Sequence, residues 1–154
     1  MSEAAEVRTS KLPMMPCLCG SMRRATRALT QVYERELAAV GLSATQMTIL
    51  QLLSRTGEVK QGQLGEMLAM DSTSLTRTLS IMRREEWLAE RRGKDRRERW
   101  IRLSRAGVRK LRDAEPVWER VQSQVREALG EQDWNQLTRL AYRATAVTKK
   151  GEGQ

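Results

Sequence analysis

The side chains best suited to chemistry in this chain are cations and hydroxyls, and they adjoin. Thirteen of the 28 lysines and arginines fall between Arg83 and Arg112, among only five acids: Glu85, Glu86, Glu90, Asp95 and Glu98. That window carries +8, and the other 124 residues together carry only +1. Like charge at this density repels itself and destabilises a fold unless a polyanion faces it. Just before the window runs Ser72-Thr73-Ser74-Leu75-Thr76-Arg77. Short hydroxyls approach base edges closely and a long arginine donor reaches a guanine edge. Together they fit the major groove of double-stranded DNA.

The composition excludes other chemistries. There is no histidine, which removes the commonest general base, the Ser-His and Cys-His nucleophile pairs and most zinc sites. The reading is therefore not an enzyme, with no cofactor and no metal. Cys17 and Cys19 are too few and too close for a disulfide framework. No run approaches the ~20 apolar residues of a membrane span. The first residues, M-S-E-A-A-E-V-R-T-S-K, contain acids and no apolar stretch, so they do not read as a signal peptide. The expectation is a cytoplasmic protein with no membrane partner.

The elements that must position these groups follow from periodicity and punctuation. With 40% apolar and 31% charged residues and three prolines, 154 residues make one mainly helical domain. Residues 1–11 and 149–154 read as disordered tails. After Pro13 and Pro16, a helix carries Leu18, Met22, Ala25, Leu29, Val32 and Leu37 as a stripe, and Gly41 stops it. Ser43 with Gln46 forms a capping-box pattern before a second helix, whose Met47–Leu53 segment is apolar on most sides and belongs in the core. Gly57 breaks that helix. A short helix, Gln61 to Ala69, turns Leu64, Met67 and Leu68 inward.

Asp71 or Ser72 caps the next helix. There Leu75, Leu79 and Met82 form a buried edge opposite Thr73, Thr76, Arg77, Ser80 and Arg84. Leu88–Arg92 and Arg99–Leu103 read as two strands around the turn Gly93-Lys94-Asp95, with Ile101 and Leu103 inward and Trp100 and Arg102 outward. Ser104 caps a long helix whose inward stripe is Val108, Leu111, Ala114, Trp118, Val121, Val125 and Leu129. Pro116 is expected to interrupt and bend it. Beyond Gly130, a last helix lines up Trp134, Leu137, Leu140, Ala141, Ala144 and Val147.

Short helix, tight turn, helix, hairpin is the order of a winged helix-turn-helix. The fold class is therefore mainly α, with a small β-hairpin wing and a helical dimerisation region. Residues 43–105 form the DNA-binding unit, and residues 12–42 and 106–148 the dimerisation region. Ser72, Thr73, Ser74, Thr76 and Arg77 face the groove. Arg84, Arg92, Lys94, Arg96, Arg97 and Arg99 reach phosphates or the adjacent minor groove. A winged unit of about 60 residues cannot cover the apolar stripes of three further helices, so they imply a homodimer.

The segment L-G-E-M-L-A-M-D-S-T-S-L-T-R-T-L-S-I-M-R-R-E-E-W-L-A-E-R-R, followed by K-D-R-R-E-R-W-I-R-L-S-R-A-G, resembles the multiple-antibiotic-resistance (MarR) type of bacterial transcription regulators. The resemblance runs from Leu18 to about Val147. Its most specific parts are L-T-R in the hydroxyl-rich helix, Asp95-Arg96-Arg97, and the L-S-x-x-G that opens the following helix. It implies a homodimeric repressor whose two recognition helices read a palindromic operator. It also implies that Asp95 braces the wing through a basic partner while Arg96 or Arg97 touches DNA. The wing tip R-R-G-K-D-R-R lacks the Pro-containing stretch common before that aspartate.

Two switches are implied by the same resemblance. Such regulators include hydroperoxide sensors with a reactive cysteine early in the first helix. Cys17 and Cys19 occupy that place, and a helix N-terminus stabilises a thiolate. Others bind aromatic acids between dimer helices and winged unit, where Arg23, Arg27 and Tyr33 would form the pocket. Both sets also read as plain structure: free cysteines pack as small apolar groups, and arginines on a helix are ordinary surface. Two further functions stay open at this point: a thiol-dependent peroxide-handling protein, and a nonspecific polyanion binder with a steep salt dependence.

Overall fold

Residues 13–95 and 98–149 are described by a computed structural model. Within them, helix α1 (Leu18–Leu37) ends in a 3-10 turn (Ala38–Val40) and is followed by α2 (Ala44–Thr56). A two-residue strand β1 (Val59–Lys60) leads into α3 (Gln61–Leu68) and α4 (Ser72–Arg84). The hairpin β2 (Leu88–Arg92) and β3 (Arg99–Leu103) comes next, then α5 (Arg105–Leu129) and α6 (Glu131–Lys149). The sheet is antiparallel in the order β1-β3-β2. Arg96, Arg97 and the two chain ends, residues 1–12 and 150–154, lie outside the described residues.

The expected caps form. Ser43 Oγ accepts from the Gln46 N–H at 3.1 Å while Gln46 Oε1 accepts from the Ser43 N–H at 2.9 Å, so two of the helix's unpaired donors are satisfied reciprocally. Gly57 stops α2 at φ 73°, in the left-handed region that only glycine enters without strain. Helix α2 is the core helix: Met47, Ile49, Leu50 and Leu53 are all buried. Leu37, Leu64, Leu79, Met82 and Ile101 close around it in one cluster. The two hairpin strands have the ranges the sequence predicts, with Ile101 buried and Leu103 half-buried. Strand β1 was not expected. It pairs Val59 with Ile101 and Lys60 with Trp100, so the wing is a three-stranded sheet rather than a free hairpin.

Three inward positions differ from expectation, among them Leu129 near the end of α5, which is exposed. Met67 is 47% exposed, because Gly65 takes the inward place on α3, where a Cβ would sit 3.3 Å from Leu75 Cδ2. Val108 is 55% exposed, and Gly107 is buried instead. The inward stripe of α5 is Gly107, Leu111, Ala114 and Val121, with half-buried Trp118 between them. The physical reason is backbone contact. A Cβ on Gly107 would overlap the Trp87 carbonyl, lying only 3.0 Å from its carbon. Ser104 seals that junction. Its N–H donates to the Trp87 carbonyl at 3.0 Å, its hydroxyl donates to the Glu86 carbonyl at 2.6 Å, and its oxygen accepts from the Gly107 N–H at 3.0 Å. Helix α5 runs through Pro116 as one element rather than being interrupted there.

Candidate DNA interface

Helices α3 and α4 are joined by Ala69, Met70 and Asp71, with Ala69 in the left-handed region at φ 51°. Asp71 caps α4: its Oδ1 accepts from the Ser74 N–H at 2.8 Å. That bond to the backbone N–H of Ser74 holds the carboxyl below its usual range. Leu75, Leu79 and Met82 anchor α4 on the core, which turns the opposite face outward. Thr73, Thr76, Arg77 and Arg84 are exposed on it, and Ser72 and Ser74 are exposed in the first turn of the helix. The side of α4 free to enter a groove is therefore the hydroxyl-rich side.

Of the wing cations, Arg92, Lys94 and Arg99 are exposed. Arg92 and Arg99 stand directly opposite each other across β2 and β3. Like charges in facing positions destabilise a sheet, and neither has an acid partner among the described residues. The turn is closed by Gly93 N–H on the Glu98 carbonyl and Glu98 N–H on the Asp95 carbonyl, each at 2.9 Å. Arg96 and Arg97, the remaining predicted contacts, lie outside the described residues.

Arg83, Arg91 and Lys110 of the basic window, and Lys60 outside it, have partners within the chain. Arg83 pairs with Glu90, Arg91 makes a fork to Glu58 with Nε–O distances of 2.9 and 3.0 Å, and Lys60 pairs with Glu98. Lys110 Nζ donates to the Val40 carbonyl and lies 5.0 Å from the Trp87 ring centre. Trp100 organises the outer face of the sheet. Its register partners are Lys60 on β1 and Arg91 on β2. Lys60 Nζ lies 5.3 Å from its ring centre and Arg91 Cζ 4.8 Å, within cation–π range. Sequence reasoning placed Trp100 outward but missed the stack, since a two-residue β1 gives no periodic signal.

The possible switch residues are placed as follows. Cys17 and Cys19 are both exposed. Cys17 caps α1, its Sγ accepting from the Gly20 N–H at 3.2 Å. Arg24 Nη1 donates to the Pro13 carbonyl at 2.8 Å. Tyr33 lines a cavity of about 320 Å³ between α1, α2 and α5, together with Leu29, Met47, Gln51, Trp118 and Gln122. Burial raises the Tyr33 phenol above its ordinary range. Arg23 and Arg27 are exposed and do not line it. Gln122 Oε1 is buried without a hydrogen-bond partner among the described residues. Among the described residues no three acids or cysteines cluster as metal ligands would, and no single helix is long and apolar enough to cross a membrane.

A capped helix-turn-helix, a hydroxyl-bearing outer helix and a three-stranded basic wing define a winged helix DNA-binding transcriptional regulator. Residues 42–98 match the model of the MarR family. The M. tuberculosis transcriptional regulator MosR, solved in complex with DNA, is 32% identical over 87% of this chain and 97% of that one, with a TM-score of 0.77. A Pseudomonas aeruginosa protein described as a probable transcriptional regulator shares the fold at 23% identity, over 84% of this chain and 97% of that one, with a TM-score of 0.73. An uncharacterised HTH-type transcriptional regulator of Bacillus subtilis, YwoH, is 23% identical over 62% of this chain and 70% of its own length. The chain belongs to the MarR family.

Proposed function

We propose that this chain is a homodimeric repressor that binds a palindromic operator. In that reading, residues 43–105 read DNA and residues 12–42 and 106–148 pair with a second copy. The observation that carries it is the exposed Ser72–Arg77 face of α4 beside Arg84, Arg92, Lys94 and Arg99. Two such helices related by a two-fold axis read half-sites one helical turn apart. Asp95 braces the turn, and Arg96 and Arg97 extend the phosphate contacts.

Support for the dimer is apolar surface that no other described residue of the chain covers. Leu137, Leu140 and Val147 of α6 and Leu18 of α1 are exposed, as are Met14 and Met15 just before it. Such a patch marks an interface.

Two routes of release fit the described residues. A small aromatic effector suits the cavity around Tyr33, whose lining carries no charged side chain, so Gln51 and Gln122 would supply its polar contacts. This differs from an arginine-held aromatic acid, because Arg23 and Arg27 lie outside the lining. Thiol oxidation suits Cys17 and Cys19, exposed at the start of α1. Oxidation to a sulfenic acid or an intersubunit bridge would then act on the dimer helices.

The test is selection of bound sites from random DNA, followed by sedimentation of protein and complex. A palindromic site bound by two chains is the expected result. Equal binding to all sequences with a steep salt slope would replace this reading with a nonspecific polyanion binder. Titration with cumene hydroperoxide, repeated on Cys19→Ser, and a panel of aromatic compounds separate the two releases. Catalytic peroxide turnover would instead mark a thiol-dependent peroxide-handling protein.

A further inference from the structure

Thr76 is one of several exposed hydroxyls on α4, but among the described residues it alone is tied to another helix. Gln61, the first residue of α3, donates from Nε2 to Thr76 Oγ1 at 3.2 Å. The opposite atom of the same amide, Oε1, accepts from Arg83 Nη2 at 3.2 Å. Arg83 in turn pairs with Glu90 on β2. The direction of this chain is fixed by chemistry. A guanidinium has donors and no acceptor, so the amide atom facing Arg83 is the oxygen. The NH2 must then face Thr76, and Thr76 Oγ must accept. Its own proton is left to point elsewhere. Thr78 and Ser80 spend theirs on carbonyls one turn back, at Ser74 and Thr76. Among the described residues, the Thr76 proton has no such acceptor.

We propose that Gln61 is a positioning residue that occupies one lone pair of the Thr76 hydroxyl and leaves its proton free to donate toward DNA, so that this point of α4 favours a hydrogen-bond acceptor. The acceptor is a purine N7, a guanine O6, a thymine O4 or a phosphate oxygen. Adenine N6 and cytosine N4 are donors and could use only the one Oγ lone pair that Gln61 leaves open. The inference rests on α4 being the groove-reading helix, and it adds the polarity of one contact. Without the Glu90–Arg83–Gln61 relay, both Oγ lone pairs would be open to donors and the bias toward acceptors would be weaker.

The experiment uses the full-length protein and the operator recovered by selection. Acceptors are deleted one at a time: 7-deazapurines for N7, 2-aminopurine for guanine O6, 5-methyl-2-pyrimidinone for thymine O4, and methylphosphonates for phosphates. Each is read as the ratio of Kd on altered and unaltered DNA. At one position, deletion should weaken the wild type and Thr76→Ser about three- to tenfold, the range of one neutral hydrogen bond. Thr76→Val should be indifferent to that same deletion. In Gln61→Glu, the carboxylate takes the hydroxyl proton, so the sensitivity should vanish there too; a uniform loss from the added negative charge cancels in the ratio. Which class of deletion responds tells base from phosphate. The proposal is overturned if no position loses its sensitivity in Thr76→Val, or if Gln61→Glu keeps it. Those outcomes leave operator binding by the wild type intact. A wild type that selects no site would sink both this inference and the operator reading.

Discussion

Replacing Trp100 by alanine should loosen the wing. The indole is half-buried and carries Lys60 on one neighbouring strand and Arg91 on the other. Each cation–π contact at a site this exposed is worth ~0.5–1 kcal/mol, so the pair amounts to about 1–2 kcal/mol. The ion pairs Lys60–Glu98 and Arg91–Glu58 would survive, but without the ring that aligns them. For a chain of this length, each kcal/mol moves Tm by roughly 2–4 °C, so thermal unfolding should shift down by about 2–8 °C. The wing cations Arg92, Lys94 and Arg99 would then contact DNA from a less ordered hairpin. Binding should weaken on all sequences alike, and the slope of log K against log salt should become shallower. Trp100→Phe should fall between, since a phenyl face attracts cations less strongly. Fluorescence anisotropy on cognate and scrambled duplexes at several salt concentrations measures both. An unchanged Tm and unchanged affinity in Trp100→Ala would refute the stack as a support. A lowered Tm with unchanged affinity and slope would refute the step from wing order to DNA binding.

Other consequences follow from the same geometry. Arg77→Ala should cost about 1–3 kcal/mol on the selected operator and relax preference at one base pair, as measured by competition with single-base variants. Arg99→Ala should instead weaken all sequences and lower the salt slope by about one, the outcome expected of a phosphate contact. Gly107→Ala should destabilise the fold. Helix propensity favours alanine by about 1 kcal/mol, but a Cβ against the Trp87 backbone forces two elements apart at about 1–3 kcal/mol or more. A rise in the urea midpoint would contradict that contact. For pH, the Asp71 carboxyl is held below its ordinary range by the Ser74 N–H. Its contribution is therefore present above the unfolded value near 3.9 and is lost as pH falls through the lower folded value. Asp71→Asn keeps a neutral acceptor at every pH, so the gap in urea midpoint between wild type and variant should close on acidification.

The local signals in the sequence located most elements, because each cap is a short-range hydrogen bond. Ser43 with Gln46, Asp71 before Ser72 and Ser104 before Arg105 start their helices as read. The hydroxyl face of α4 followed from the burial of Leu75, Leu79 and Met82 opposite it. What the sequence hid is non-local. Strand β1 is two residues long and has no period of its own; it exists because β3 offers it an edge. The Trp100 stack joins residues 40 and 9 positions away from it in the chain. The tie from Gln61 to Thr76 depends on how α3 crosses α4. Periodicity also cannot separate Gly107 from Val108, since a glycine contributes no hydropathy, although its backbone is what packs.

The arrangement of charge explains how so basic a segment folds before it meets a polyanion. Acids are not spread evenly among the cations: Glu90, Glu58 and Glu98 neutralise Arg83, Arg91 and Lys60, the cations that hold the sheet and α4 together. Their neighbours in sequence, Arg84 and Arg92, are left exposed and without an acid partner among the described residues. On a strand, adjacent side chains point to opposite faces, and on a helix they diverge by about 100°. One arginine of each adjacent pair can therefore be structural while the next faces solvent. An exposed ion pair adds little stability, so the acids matter chiefly for where they hold their partners. The self-repulsion that remains is concentrated on the hydroxyl side of α4 and the wing, the surface on which bound phosphates would relieve it.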